Sequence, residues 1–325
     1  MSTNLSYWMV IQYNAPTSNH SAQQRWSVDI QPILQRIPQF ASTQATEIKE
    51  LTGGITNKNY KISVDGESYV LRLGGNETKY LGIDRAVEYE CSRLAAQIGI
   101  APEPIAFIAP EGFILARFIS GQGIPAEEIG TEENIQHVVE SMKAYHALEF
   151  FPGSFSPFRV AEEYKKTALS FNVKLPDQMD WYLEKSGEIE KAIYGREPIQ
   201  LRPCHNDLLN GNFIDDGTRI RILDWEYAGM GDIFFDLGNF AIQHEFSDEQ
   251  DEILMKIYFG NPTDSQRAHQ KLMKIMSDLR EAMWSQVQIG VSQLDFDYTG
   301  YGQKYFDRFE ANTSGSDYTN WLRAV

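Results

Sequence analysis

Two apolar rhythms divide this chain and limit what it can build. Between residues 45 and 75, Tyr60, Ile62 and Val64 alternate with polar residues, Asp65-Gly66 follows, and Tyr69, Leu71 and Leu73 alternate again. Alternation at a period of two marks a half-buried strand, and Asp-Gly between two such runs is a strong hairpin signal. "IAFIAPEGFILARFI" (105–119) reads as another hairpin. Between the two, "DRAVEYECSRLAAQIGI" (84–100) has helical spacing. Asp84 can cap it, Val87, Cys91, Leu94, Ala95 and Ile98 form its apolar stripe, and Gly99 and Pro102 end it. "DIQPILQRI" (29–37) is a short amphipathic helix. Beyond a Gly-containing connector at 120–128, helical spacing takes over at 132–150, 179–195, 247–260 and 264–291. The expected class is α+β, with a small antiparallel sheet and one helix in a first lobe, a helical second lobe, and a cleft between them. The expected boundaries are a loosely ordered segment at 1–28, rich in Ser, Asn, Thr and Gln, then lobes at 29–120 and 121–325.

The stretch 203–230 breaks the helical pattern. "PCHNDLLNGNFI" (203–214) gathers His205, Asn206, Asp207, Asn210 and Asn212 among apolar neighbours. Buried polar groups are costly unless paired, so such a cluster is either a satisfied structural knot or a site. Phe213-Ile214 and Ile220 to Leu223 flank Asp216-Gly217 as a second hairpin. Asn212 then lies at the start of one strand and Asp224 at the end of the other, so both sit at the hairpin's open end. Asp207 lies in the loop feeding the first strand. Hard oxygen donors of this kind suit Mg²⁺, which takes one or two carboxylates together with substrate phosphates. Asn212 and Asp224 are the candidate metal ligands, and Asp207 is left as a base beside them. The order Asp, Asn, Asp is the one protein kinases use. An Asx-rich turn explains any one of these residues alone, but not the ordered set. Zinc is disfavoured, because Cys204 and His205 are adjacent and cannot easily share one tetrahedral ion.

Composition excludes several classes. The formal net charge of −16 disfavours nucleic acid and anionic membranes as partners. No apolar run approaches the roughly 20 residues of a membrane span. The two cysteines, Cys91 and Cys204, are too few for a disulfide scaffold and read as reduced thiols. The N-terminus has no basic, apolar leader pattern. A cytoplasmic protein without membrane insertion is expected.

The motifs "GGITNKNY", "YVLRL", "HNDLLNGN", "LDWEY", "FDLGN" and "FDYTGYGQKYFDRF" resemble those of the choline/ethanolamine kinase family, within the aminoglycoside phosphotransferase-like group. The similarity runs from about residue 45 to about residue 310. It implies a two-lobed protein-kinase-like fold and phosphoryl transfer from ATP, with Mg²⁺, to the hydroxyl of a small cationic alcohol, choline first. Ethanolamine, thiamine, an aminoglycoside or another amino alcohol are the alternative acceptors. A silent nucleotide- or choline-binding module is the alternative of another class. By resemblance Asp207 is the catalytic base, Asn212 and Asp224 hold the metal, and His205 and Asp236 are structural supports. Arg72 replaces the kinase lysine that holds nucleotide phosphates, with Glu88 as its helix partner and Glu90 as the rival. Strand alternation puts Arg72 opposite Tyr69, Leu71 and Leu73, on a polar face with Asn59, Lys61 and Ser63. The Gly-containing turn with Gly53, Gly54, Thr56 and Asn57 can cradle phosphates through backbone N–H groups, although it is not a Walker motif.

A cationic acceptor is best held by aromatic faces. By resemblance Tyr227, Trp284 and Tyr301 form that box. Two departures stand out. Gln243 occupies the place of an acidic residue that the family sets near the cation, with Glu245 two residues on, and Glu281 replaces a tryptophan one turn before Trp284. They imply relocated acidic compensation and open the site to a smaller primary amine.

Overall fold

The computed structural model describes residues 29–51, 57–195 and 199–325. The expected phosphate-turn residues Gly53, Gly54 and Thr56, and the segment 1–28, lie outside the described residues. The first lobe is a five-stranded antiparallel sheet of β1 (Glu47–Leu51), β2 (Asn57–Val64), β3 (Glu67–Gly74), β4 (Pro104–Ile108) and β5 (Phe113–Arg117), in the order β1-β2-β3-β5-β4. Val64 pairs with Glu67, so Asp65-Gly66 is the two-residue turn, and both take positive φ (51° and 84°). That matches the strand twist a tight hairpin needs, at little cost for Asp and Gly. Tyr60, Ile62, Val64, Tyr69, Leu71 and Leu73 line one face of the sheet and are buried there. The short helix α1 (Ile30–Gln35) covers that face with Ile30, Ile33 and Leu34, a helical stripe, and Asp29 caps it through the Gln31 N–H. Arg72 points to the other face, directly across from Asn59.

Against that second face lies α2 (Arg85–Gln97), capped by Asp84, which accepts from the N–H groups of Ala86 and Val87. The expected stripe is corrected in one respect. Cys91 and Ala95 are fully buried, but Val87, Leu94 and Ile98 are only half-buried, and Glu88 takes the third buried position on the helix. A carboxylate holds that place because guanidinium partners face it, as described below.

The connector does more than link. Gln122–Gly123 forms β6, which pairs with β8 (Phe213–Asp215), itself paired with β9 (Ile220–Ile222). Gly121 makes this approach possible, since a Cβ there would lie 2.4 Å from the Asp215 carbonyl oxygen. A two-stranded ribbon joins β7 (Arg202–Cys204) to β10 (Gly229–Gly231). The helices are α3 (Glu132–His146), α4 (Pro157–Ser170), α5 (Met179–Tyr194), α6 (Ile233–Gln243), α7 (Asp248–Phe259), α8 (Asp264–Val291), α9 (Tyr298–Thr313) and α10 (Ser316–Ala324). Helical spacing anticipates α3, α5, α7 and α8. Two capping boxes, Ser247 with Gln250 and Thr263 with Gln266, start α7 and α8. The long α8 is the pillar of this lobe, packed by α4, α6 and α9. Gly238 brings α6 against it: a Cβ there would meet the Met273 carbonyl carbon and the Lys274 nitrogen at 2.7 Å. Among the described residues no helix is long and apolar enough to cross a membrane.

Candidate active site

The loop from His205 to Leu209 leaves β7 and reaches β8 through a short 3-10 turn, Asn210–Asn212. Its backbone is held by side chains of α6. The fully buried Asp236 carboxylate accepts the His205 N–H (2.9 Å), the Asn206 N–H (2.6 Å), the Tyr145 hydroxyl (2.7 Å) and a bond from His146 Nε2 (3.0 Å). Burial alone would raise its pKa, but these partners hold it below the usual carboxylate range. One turn on, Asn239 accepts the Leu208 N–H at 2.6 Å and donates to Ser277 on α8 at 2.9 Å. Asn206 sits at φ 66° and donates to the Tyr227 carbonyl.

His205 is internal to this brace. Its Nε2 bonds the Leu223 carbonyl (2.8 Å), so the proton is there, and Nδ1 accepts the Asp207 N–H (3.2 Å). Burial lowers its pKa and keeps the ring neutral. His146, Cys204 and Asp236 also cluster within 4.8 Å of one another. Both nitrogens of His146 are engaged, by Tyr258 and Asp236, and burial pushes the Cys204 thiol up. That is the reverse of what a metal thiolate needs, and the cluster reads as a brace.

The open end of the hairpin closes as its spacing implies. The Leu223 N–H donates to the Asn212 carbonyl at 2.8 Å. The Asn212 amide nitrogen donates to the Asp207 carbonyl at 2.8 Å, so that bond leaves its oxygen as the end a hard cation would take. Asp224 sits at φ 63° with its side chain 32% exposed, and one oxygen meets Arg72 at 2.7 Å. Asp207 is buried, and burial lifts its carboxyl to about 7. Arg280 opposes that rise, while Glu281, Asp224 and Glu226 add to it.

Arg72 stands at the centre of the cleft. It reaches Glu88 at 2.5 Å, Asp224 at 2.7 Å and Glu226 at 2.6 Å. Burial works against its charge, but the three acids outweigh it and raise its pKa. Arg85 joins Glu88, Glu226 (3.1 Å) and the Asn57 amide oxygen (2.8 Å), and Asn57 donates to Glu226 at 3.2 Å. Two guanidinium groups thus face three carboxylates.

On the far side of Asp207 lies α8. Arg280 donates from Nη1 to Asp207 at 3.1 Å and to Glu281, and its guanidinium lies 4.3 Å from the centre of the Tyr227 ring. The Tyr301 hydroxyl donates to the other Glu281 oxygen at 2.8 Å. Tyr301 packs edge-on to Trp284 (5.7 Å between centres) and tilted against Tyr305 (4.9 Å). Tyr305 in turn donates to the Gln243 oxygen at 3.3 Å.

A family model described as choline/ethanolamine kinase matches residues 48–268. The chain belongs to that family. LicA of Haemophilus influenzae is 28% identical over 244 residues, covering 71% of this chain and 70% of that protein. A probable ethanolamine kinase A of Dictyostelium discoideum is 25% identical over 312 residues, covering 84% and 88%. Among solved structures, a choline/ethanolamine kinase family protein of Mesorhizobium loti superposes with a TM-score of 0.77 at 30% identity, covering 90% of this chain and 97% of that one. The two lobes are those of the protein-kinase-like fold, shared at a TM-score of 0.63 with an aminoglycoside phosphotransferase.

As a choline/ethanolamine kinase family member, the chain brings most of its expected site residues together. Asp207, Asn212 and Asp224 meet at the hairpin, with Arg72 and Glu88 across the cleft. Glu90, the rival partner, instead pairs with Arg93 at the surface. Tyr227 is joined to Tyr301 and Trp284 through the Arg280–Glu281 pair, and Gln243 through Tyr305. Glu245 is not among them. Its side chain is 66% exposed and pairs with Lys304 at 3.0 Å. The physical reason is helical phase: α6 ends at Gln243, and Glu245 takes φ 53°, which turns it away. Three site residues escape a reading of motifs. Glu226 lies within "LDWEY", Arg85 stands one turn before Glu88, and Arg280 stands one turn before Trp284. Helical spacing was the available signal for the last two.

Proposed function

We propose that this chain is a kinase that transfers the γ-phosphoryl group of ATP, with Mg²⁺, to the hydroxyl of a small amino alcohol. The observation that carries the reading is Asp207: a buried carboxylate near neutral pKa, fixed in a braced loop beside Asn212 and Asp224. A base with a pKa near the working pH is suited to taking a hydroxyl proton. The donor set fits Mg²⁺, since the Asn212 oxygen and the Asp224 carboxylate are hard ligands and the cleft holds more carboxylate than guanidinium. When bound, the ion neutralises charge on the phosphate oxygens. Asp207 accepts the hydroxyl proton as the new oxygen–phosphorus bond forms. The bond between the γ-phosphorus and the bridging oxygen breaks, and its electron pair leaves on ADP. Arg72 steadies the phosphate end, and Glu88, Glu226 and Arg85 hold its guanidinium in place. In this reading residues 29–120 form the nucleotide lobe and 121–325 the catalytic and acceptor lobe.

An amine on the acceptor is supported by the aromatic faces of Tyr301 and Trp284, and by relatives named as probable ethanolamine kinases. Choline is the first acceptor to test. The assay is ADP release from MgATP against choline, ethanolamine, thiamine and an aminoglycoside, with Asp207→Ala as the control. Acceptor-dependent release that disappears in the variant supports the reading. Full activity in Asp207→Ala would refute it.

A further inference from the structure

The acceptor side of Asp207 is already furnished with a cation. Arg280 is 2% exposed, and its Nη1 serves both Asp207 and Glu281. Nε and Nη2 are also buried and have no partner among the described residues. These two nitrogens share one edge of the guanidinium. Their N–H bonds run parallel, the fork that takes a carboxylate or a phosphate through two bonds at once. Leaving buried donors of a charged group unpaired is costly, so this edge calls for an oxyanion.

The same guanidinium occupies what a bare cation would use. It lies over the Tyr227 ring and neutralises Glu281, whose other oxygen is taken by Tyr301. A quaternary ammonium would therefore compete with a charge of the protein's own for the aromatic face and for the acid. An acceptor that carries an oxyanion would instead complete the fork.

We infer that Arg280 is the receptor for an oxyanion on the acceptor, and that the preferred acceptor is an alcohol bearing both an amine and a carboxylate, a hydroxylated amino acid, rather than a simple cation. The inference rests on the kinase reading above and narrows its substrate class. The hydroxyl would face Asp207, the carboxylate the free edge of Arg280, and the amine the rings of Tyr301 and Trp284.

The test is ADP release from MgATP by the full chain with serine, homoserine, ethanolamine and choline, together with thermal unfolding in the presence of each acceptor. Wild type is compared with Arg280→Lys, which keeps the charge and loses the fork. Glu281→Gln is the second variant, since it leaves the free edge intact. The expected kcat/KM for serine or homoserine exceeds that for ethanolamine by about tenfold or more, and Arg280→Lys removes that preference while Glu281→Gln retains it. Equal or better turnover of ethanolamine or choline, with selectivity unmoved in Arg280→Lys, overturns the inference and leaves the kinase reading standing. Absence of turnover, with the carboxylate acceptors still raising the Tm of wild type but not of Arg280→Lys, overturns the kinase reading and keeps the oxyanion receptor. Absence of both turnover and Tm shift overturns both. Phosphoethanolamine binding that depends on Arg280, when serine and homoserine binding does not, would assign the fork to the transferred phosphoryl group and overturn the substrate class.

Discussion

Replacing Asp236 with asparagine keeps the shape of the side chain and removes half of what it does. The carboxylate uses one oxygen for the Asn206 N–H and the other for the His205 N–H, Tyr145 and His146. Asparagine can place its oxygen on only one of these sides. Placed to keep three bonds, its NH₂ meets the Asn206 N–H, donor against donor. The variant loses one charge-assisted bond and strands one buried donor, and the remaining bonds lose their ionic partner. Terms of that kind cost about 1–3 kcal/mol each, and their coupling in one network makes about 3 kcal/mol a reasonable total. For a chain of 325 residues, at about 2.1 cal/mol/K of unfolding entropy per residue, that is roughly 4–5 °C in Tm. The loop that loses its anchor carries Asp207, and a displacement of about 1 Å there is worth roughly a hundredfold in turnover. Thermal unfolding by near-UV circular dichroism at pH 7.5, with ADP release on the same samples, measures both. The pH dependence adds a signature. A carboxylate held below its unfolded pKa contributes stability that is complete above about pH 4 and is lost as pH falls through the folded value. The gap between wild type and variant should therefore narrow below about pH 4. A variant with wild-type Tm and turnover would refute the claim that an ionised Asp236 holds the loop.

Asp207, with its carboxyl near 7, predicts a kcat/KM that falls about tenfold per pH unit below neutrality and levels off above it. Glu281 contributes to that elevation, so Glu281→Gln should move the acid limb to lower pH, and a limb that stays put or rises would contradict the assignment. Asn212→Ala removes both the tether to the Asp207 carbonyl and the amide oxygen. It should raise the Mg²⁺ concentration for half-maximal activity by about tenfold or more, read from an Mg²⁺ titration of ADP release. Gly238→Ala drives a methyl group into the α8 backbone at 2.7 Å and should cost about 1–3 kcal/mol, measured by urea unfolding; an unchanged midpoint would show that α6 and α8 are not locked there.

What could be read from the sequence divides along one physical line. Features that a short segment settles by itself were legible: the Asp65-Gly66 turn, the cap at Asp84, and the meeting of Asn212 with Asp224 at the mouth of a hairpin. Features that depend on a partner far along the chain were not. Along α8, Gln270, Lys274, Asp278, Arg280 and Glu281 are all buried, so the helix carries polar groups where an amphipathic pattern would set them in solvent. Each is stable there because another element supplies its counter-charge or bond: Asp251 on α7 for Lys274 and Gln270, Arg308 on α9 for Asp278, Asp207 for Arg280 and Tyr301 for Glu281. Glu226 and Arg85 escape for the same reason, since their burial is compensated by Arg72, Glu88 and Asn57. Arg280 differs from the rest in one way that bears on function. Among the described residues, Arg72 and Arg85 each leave only Nε without a partner, whereas Arg280 leaves both Nε and Nη2, a whole edge of its guanidinium. A fold that leaves a two-donor edge of a buried guanidinium without a partner, beside Asp207, the proposed base, makes the edge the place where substrate completes the structure.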